Sequence, residues 1–484
     1  MSATGPTIPL RAVHRLRQIK SHLGSSRSPA LARSPVGARQ FSASHPRTDS
    51  DPAPEPSSSS FTFTTACSFR GKPGCPVYVR PGPGGTTPAP AATRSDDRLA
   101  TRLKQGLSSD HPLAIWRDAQ LEKSPNGAGH DWFFVEGVPA AATPTPTTAP
   151  SPAAEKEPAT KVVARGIKGV VLGVADGVGG WEESGVDPSH FSQALMWFAR
   201  ERVRTGEVDP ARGGKDLKLL LERAFDDVTN EKAILAGSST ACIVALDSAT
   251  GKLHAANLGD SSFMVLRPSL PPPSPSPPPP APTTESAGND DATTTAATAP
   301  TYSVVHSEPS QTHFFNAPYQ LSKLPPSASS RGESLMDLAS DAATTPRGGI
   351  QLHPGDVVLV TTDGFGDNVF GQEVEQLCTL VHAKCLEEQQ EPPPPSPSPS
   401  PSEQGTRRER GDQVDDHLFA SSLAQTSLNF ARLVSFKRDK VTPFEVEARR
   451  YGYGKASGLG GGKVDDITVV VAVVGGGPGR GTEH

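Results

Sequence analysis

Four aspartates stand where apolar runs begin or end. Asp176 follows Gly169-Val170-Val171-Leu172-Gly173-Val174-Ala175 and precedes Gly177-Val178-Gly179-Gly180. Asp363 follows Val357-Val358-Leu359-Val360-Thr361-Thr362 and precedes Gly364. Asp465-Asp466 lead into the run that starts at Ile467, and Asp131 leads into Phe133-Phe134-Val135. If these runs are strands, their ends turn the carboxylates toward a common sheet edge. Carboxylates gathered there repel one another unless a hard cation lies between them. A donor set of oxygens without His or Cys selects Mg²⁺ or Mn²⁺ over zinc. Glycine after Asp176 and Asp363 lets other groups approach the backbone closely and leaves its carbonyl open as a further ligand. A lone Asp-Gly is more often a turn. Four such aspartates weigh against turns alone, although periodicity does not itself bring them together.

The elements that must position these residues can be read from the pattern. Residues 169–175 form a buried strand. Asp187-Pro188-Ser189 opens a helix, with a capping residue followed by proline at the first helical position. Leu217, Leu220, Leu221, Ala224, Phe225 and Val228 predict a second helix over 215–236, ended by Gly237. A hairpin follows, from Thr240 to Leu246 and from Leu253 to Leu258. Further strands are expected at 263–266, 302–306, 357–361 and 467–474, and helices at 371–386 and 415–434. Hairpin-joined strands with grouped helices argue an α+β fold.

Length alone, 484 residues, suggests about three domains. The prolines argue otherwise. Blocks 1–97, 139–160, 269–300, 391–412 and 475–484 hold 38 of the 50, so the remaining segments make one domain with long inserts. Such Pro/Ser/Thr/Ala tracts bury too little apolar surface to offset their ordering entropy, and disorder is expected there. Their PxxP patterns match what SH3-like domains bind, although loop filler is the commoner reading. No run of 18 apolar residues predicts a membrane-spanning helix. Formal charge is −5, with eight Lys/Arg and no Asp/Glu in residues 1–48. The rest of the chain is acidic and shows no electrostatic footprint for nucleic acid. Five cysteines without a CxxC pair argue against a disulfide framework or a structural zinc site. The acid-free segment 1–48, rich in Arg, Ser and Ala, has the composition of an organelle transit peptide. Arg39-Gln40-Phe41-Ser42 resembles a mitochondrial processing site, so a mitochondrial location, with the matrix as compartment, is expected.

The segment Gly173-Val174-Ala175-Asp176-Gly177-Val178-Gly179-Gly180-Trp181 resembles the metal-dependent protein Ser/Thr phosphatases (the PP2C family) in their PTC7-like mitochondrial branch. Asn257-Leu258-Gly259-Asp260-Ser261-Ser262, Thr361-Thr362-Asp363-Gly364-Phe365-Gly366-Asp367-Asn368 and Asp465-Asp466-Ile467-Thr468 resemble further segments of that family, in family order. Gln311-Thr312-His313-Phe314-Phe315-Asn316 also resembles the branch. The resemblance implies a four-layer αββα sandwich of two antiparallel sheets flanked by helices. It implies two Mn²⁺ or Mg²⁺ ions, with a third in some members, that activate a water for in-line hydrolysis of phosphoserine or phosphothreonine. Asp131 and Asp176 would hold metal, helped by the Gly177 carbonyl. Asp363 and Asp465 would complete the ligand set of the second metal, and Asp260 and Asp367 match the weaker third site. The substrates implied are mitochondrial phosphoproteins.

Three positions depart from the wider family. Val178 stands where a histidine proposed as general acid is common, and His130 stands where a glutamate precedes the first aspartate. No arginine lies just upstream of Asp131 to grip phosphate, Lys123 being the nearest cation. His313 is a candidate proton donor, read more readily as a structural histidine. Gly458 to Lys463 fails the P-loop pattern and is expected to be a flexible loop beside the site. Trp181 and Trp197 are read as packing, and Ser239 and Thr240 lack a triad context. The domains expected are a transit peptide at 1–48, a low-complexity region at 49–97, a phosphatase domain at 98–474 and a tail at 475–484. The rival functions are a pseudophosphatase acting as a regulatory binding module and a scaffold recruited through its proline tracts.

Overall fold

The computed structural model describes residues 60–73, 107–122, 124, 127–140, 167–269, 299–325, 336–390, 414–453 and 458–476. The expected leader at 1–48 and the bulk of the proline-rich tracts lie outside these residues. In chain order the long strands are β1 (Phe61–Arg70), β2 (Asp131–Pro139), β3 (Ile167–Asp176), β4 (Ala241–Asp247) and β5 (Lys252–Leu258). They continue with β6 (Ser262–Ser269), β7 (Thr301–Ser307), β8 (Val357–Thr361) and β9 (Ile467–Gly476). The helices are α1 (Pro112–Leu121), α2 (Ser189–Arg204), α3 (Gly214–Asn230), the short α4 (Asp363–Gly366), α5 (Gly371–Gln390), α6 (Asp416–Ser435) and α7 (Pro443–Arg450).

The strands form two antiparallel sheets. One runs β1-β9-β8-β6-β7, and the other runs β5-β4-β3-β2, with the short strands Ala343–Thr344 and Ile350–Gln351 on β5. Alternation along β8 and β9 sorts the layers. Val358, Val360, Val470, Ala472 and Val474 pack toward the second sheet. Val357, Leu359, Val469, Val471 and Val473 pack instead with Cys378 and Val381 of α5 and with Phe419, Leu423 and Leu428 of α6. On the far side, Phe191, Leu195 and Met196 of α2 and Leu217, Leu221 and Ala224 of α3 share the core of the β2–β5 sheet. The result is the expected αββα sandwich. Both faces of each sheet are covered, which explains why β3 and β9 read as unbroken apolar runs rather than alternating ones.

Three sequence expectations need correction. Residues 61–70, read as part of the low-complexity region, form the edge strand β1, paired along its whole length with β9. Phe61, Phe63 and Phe69 are buried between the sheets. Their alternation was present but sat beside a serine run that dominated the composition. The second helix ends at Asn230 rather than Gly237. There Glu231 turns extended, and the Lys323 ammonium takes the freed carbonyls of Val228 (3.1 Å) and Glu231 (2.8 Å). Helices α1 and α7 went unread, although Thr442-Pro443-Phe444-Glu445 opens α7 with a capping threonine, a proline and a glutamate at the third position. The start of α2 matches its expectation, since Asp187 Oδ1 accepts both the amide and the hydroxyl of Ser189.

Phe63 on β1 is 3 % exposed. Phe63→Ala is expected to cost about 3–5 kcal/mol, measured by denaturant unfolding of the full chain. A disordered leader at this position would lose nothing.

Candidate metal centre

The register of the β2–β3 pair places Asp131, first residue of β2, directly opposite Asp176, last residue of β3. Asp363 opens α4 just beyond the end of β8, and Asp465 lies two residues before β9. Asp260 occupies the turn between β5 and β6. Strand ends from both sheets therefore bring these carboxylates to one edge of the sandwich, as the sequence suggested.

Each carboxylate is held by groups that the sandwich supplies. Asp131 is fully buried, and its Oδ2 accepts hydrogen bonds from Thr362 (2.7 Å) and Thr468 (2.9 Å), which belong to the opposite sheet's end. The Asp176 amide donates to Thr240 Oγ1 (3.1 Å), and the Asp176 carbonyl accepts from the Ser239 hydroxyl (2.8 Å). Ser239 and Thr240 thus position the backbone of Asp176 and serve as no nucleophile. Buried Asp466 accepts the amides of Lys72 (2.7 Å) and His130 (3.0 Å). Two glycines allow the close packing. A Cβ on Gly364 would lie 1.9 Å from the carbonyl oxygen of Asp466, and one on Gly177 would lie 2.6 Å from that of Pro188.

Two lysines complete the cluster. Lys463 Nζ pairs with Asp363, Asp367 (2.7 Å) and Asp465 (3.1 Å). Lys72 Nζ lies 3.3 Å from Asp465 and 3.4 Å from Asp466 and from His130 Nδ1. Among the described residues, no three His, Cys, Asp or Glu side chains close into a ligand cage. Lys463 stands between three of the carboxylates instead. Even so, one oxygen each of Asp131, Asp260 and Asp363 is buried with no hydrogen-bond partner. A buried carboxylate oxygen left unpaired is costly, and a hard divalent cation is the group that satisfies several at once.

Burial and mutual repulsion both favour the protonated forms in this group. Burial first, then Asp363 and Asp131, raise the Asp176 carboxyl well above the ordinary carboxylate range. Burial and Asp466 do the same to Asp131, and burial outweighs Lys463 at Asp363. Burial pushes Asp260 up to about 7, against the pull of Lys463. Burial also acts on Asp465, but Lys463 and Lys72 hold it below its usual value. Lys463 itself is raised, because four aspartates outweigh the burial of its ammonium.

Several functional positions were not legible as such. Lys123 lies outside the described residues, and Lys72, on a segment read as low-complexity, is the cation that reaches the cluster. The Gly458–Lys463 stretch, expected to be flexible, is pinned at its end. Gly461 donates to Glu445 Oε2 (3.0 Å), Gly462 to the carbonyl of Lys437 (2.8 Å), and Lys463 to Asn368 Oδ1 (3.0 Å). The available signal was the spacing of Lys463 two residues before Asp465, which an extended chain turns to one side. His130 is tied to Glu182 (2.9 Å). His313 is paired with Asp337 (2.9 Å) and stacked on Tyr319. Trp181 packs at the rim with its indole N–H on Ser238 (2.7 Å).

With this geometry established, likeness to known proteins becomes informative. No family model matches the chain. It is 33 % identical over 308 residues to the protein phosphatase PTC7 homolog of Xenopus laevis, covering 63 % of this chain and 76 % of that protein. It is 32 % identical over 316 residues to the PTC7 homolog of Danio rerio, covering 64 % and 79 %. The chain belongs to the PTC7-like protein phosphatases. Among solved structures, that of the photosystem II phosphatase PBCP is similar at 24 % identity and a TM-score of 0.42, over 74 % of this chain and 94 % of that one. Membership rests on the sequence relatives. The aspartate edge therefore sits in a phosphatase scaffold.

Because Asp260 binds its proton more tightly folded than unfolded, between 3.8 and about 7, the folded state holds more protons in that window. Stability of the metal-free chain is therefore expected to fall as pH rises from about 4 toward 7. Thermal melts in EDTA should show this slope, and Asp260→Asn should reduce it, the remainder coming from Asp131, Asp176 and Asp363.

Proposed function

We propose that the chain is a metal-dependent protein serine/threonine phosphatase using Mn²⁺ or Mg²⁺. The observation that carries this reading is the set of buried, unpartnered oxygens on Asp131, Asp260 and Asp363 within one repelling carboxylate group. Asp131 and Asp176 would hold the metals with the help of the Gly177 carbonyl, Asp363 and Asp465 would complete the shell of the second ion, and Asp260 and Asp367 would serve a weaker third. Bound there, such ions supply a nucleophilic water at neutral pH and neutralise charge developing on a phosphoryl group. The chain's own residues prepare that site. Thr362 and Thr468 occupy one oxygen of Asp131 and so present the other as a ligand. Ser239 and Thr240 fix the Asp176 backbone, and Asn368 ties α4 to the segment before β9 that carries Asp465. Lys72, its side chain 29 % exposed beside Asp465, is the cation placed to meet a phosphoryl oxygen, the role for which the sequence offers no arginine.

The pseudophosphatase reading drew on Val178 and His130. It is weakened by the retention of all six candidate ligands and by their common location. The decisive assay is hydrolysis of a phosphothreonine peptide with Mn²⁺, Mg²⁺ or EDTA. Asp176→Asn and Asp363→Asn are each expected to lose about 10³-fold in kcat, corresponding to about 4 kcal/mol of lost charge stabilisation. Metal-independent turnover, or unchanged turnover in both variants, would overturn the reading.

The acid-free, arginine-rich segment 1–48 supports placement in the mitochondrial matrix, with phosphoproteins of that compartment as substrates. Among the described residues no helix is long and apolar enough to cross a membrane. Protein isolated from cells should begin downstream of the arginine-rich segment when its N-terminus is read by mass spectrometry. An intact Met1 would rule out import with cleavage.

A further inference from the structure

Lys463 has an unusual place for a lysine. Its ammonium reaches Asp363, Asp367 and Asp465, three aspartates from three positions in the chain, and its side chain is only 15 % exposed. The backbone that delivers it is fixed. Asn368 grips it from both sides, accepting the Lys463 amide (3.0 Å) and donating to the Lys463 carbonyl (2.8 Å). The preceding glycines are held by Glu445, Thr442 and Arg438 (3.0, 2.7 and 3.0 Å). The ammonium lies 5.7 Å from the Phe444 ring centroid, so the aromatic face adds a favourable contact. This is a built position.

We propose that Lys463 is an internal counter-cation that competes with divalent metal for Asp363, Asp367 and Asp465. The inference deepens the metal-phosphatase reading and rests on it for the identity of the competing cation. An ammonium and a divalent ion cannot both stay at contact distance from the same oxygens, because like charges a few ångströms apart in a poorly solvated site repel strongly. For a metal to take these oxygens, the Lys463 ammonium would swing out on its flexible four-carbon stem. The other half is different. Lys463 pairs with Asp363, Asp367 and Asp465 and with neither Asp131 nor Asp176. Two classes of metal site follow, one free of the lysine and one weakened by it. The same lysine lets the metal-free chain fold with its carboxylates compensated.

The test is calorimetric titration of the full chain with Mn²⁺, which reads binding without turnover. Lys463→Met keeps the stem and removes the charge, and is expected to tighten the weaker binding step at least tenfold, about 1.4 kcal/mol. Lys463→Arg, which keeps the charge, should bind no tighter than wild type. Equal or weaker binding by Lys463→Met would overturn the proposal alone. Absence of Mn²⁺ uptake by both wild type and Lys463→Met would overturn the metal reading and this proposal with it. Should Lys463→Met fail to fold without metal, wild type answers by itself. Acylation of Lys463, measured by mass spectrometry against the exposed Lys384 as internal standard, should rise several-fold on adding Mn²⁺. An unchanged or slower rate would overturn the proposal.

Discussion

Like charges brought together out of water repel, and this chain brings six aspartates to one sheet edge, with a seventh, Asp466, directly behind them. Much of the local architecture answers that repulsion. Threonine hydroxyls satisfy one side of Asp131, backbone amides satisfy Asp466, and two lysines reach in from different segments. The oxygens left over are those that a metal would take. A cluster so arranged is poised between two kinds of cation, the protein's own and one from solution.

The sandwich supplies the rigidity that such a site needs. Asp131 and Asp176 are cross-strand partners in one sheet, while the threonines that bind Asp131 lie at the ends of neighbouring strands in the other. The site therefore spans the inter-sheet core, and the packing of Val358, Val360, Val470 and Ala472 against the second sheet sets its geometry. The edge strand β1 belongs to this framework. It carries Lys72 beyond its end and buries three phenylalanines along its length. Helix α7 contributes from the other side, through Thr442 and Glu445, to the loop that delivers Lys463.

Membership in the PTC7-like phosphatases agrees with the motif reading and gives the aspartates a chemical context. The departures acquire local explanations. His130 is engaged with Glu182, and its amide supports Asp466, so its backbone is structural whatever its ring does. Lys72, far earlier in the chain than Asp131, brings a cation to the cluster by pairing with Asp465 and Asp466.

Much of this was local information. Apolar runs ended by Asp176 and Asp363, the proline after Asp187 and the hairpin at 241–258 are set by short-range sterics, hydrogen bonding and periodicity. They are legible residue by residue, as was the α+β class, whereas the αββα sandwich and the full set of candidate ligands came from the family resemblance. What pattern could not carry was compensation. Lys72 becomes a partner of Asp465, and Lys463 of Asp363 and Asp367, only when β1 pairs with β9 and the 461–463 backbone is clamped by Asn368 and Glu445. The end of α3 was likewise decided by Lys323, nearly a hundred residues away. Sequence chose which carboxylates to gather. Tertiary structure decided which cations would meet them, because electrostatic pairing depends on distance in space and leaves no period in the chain.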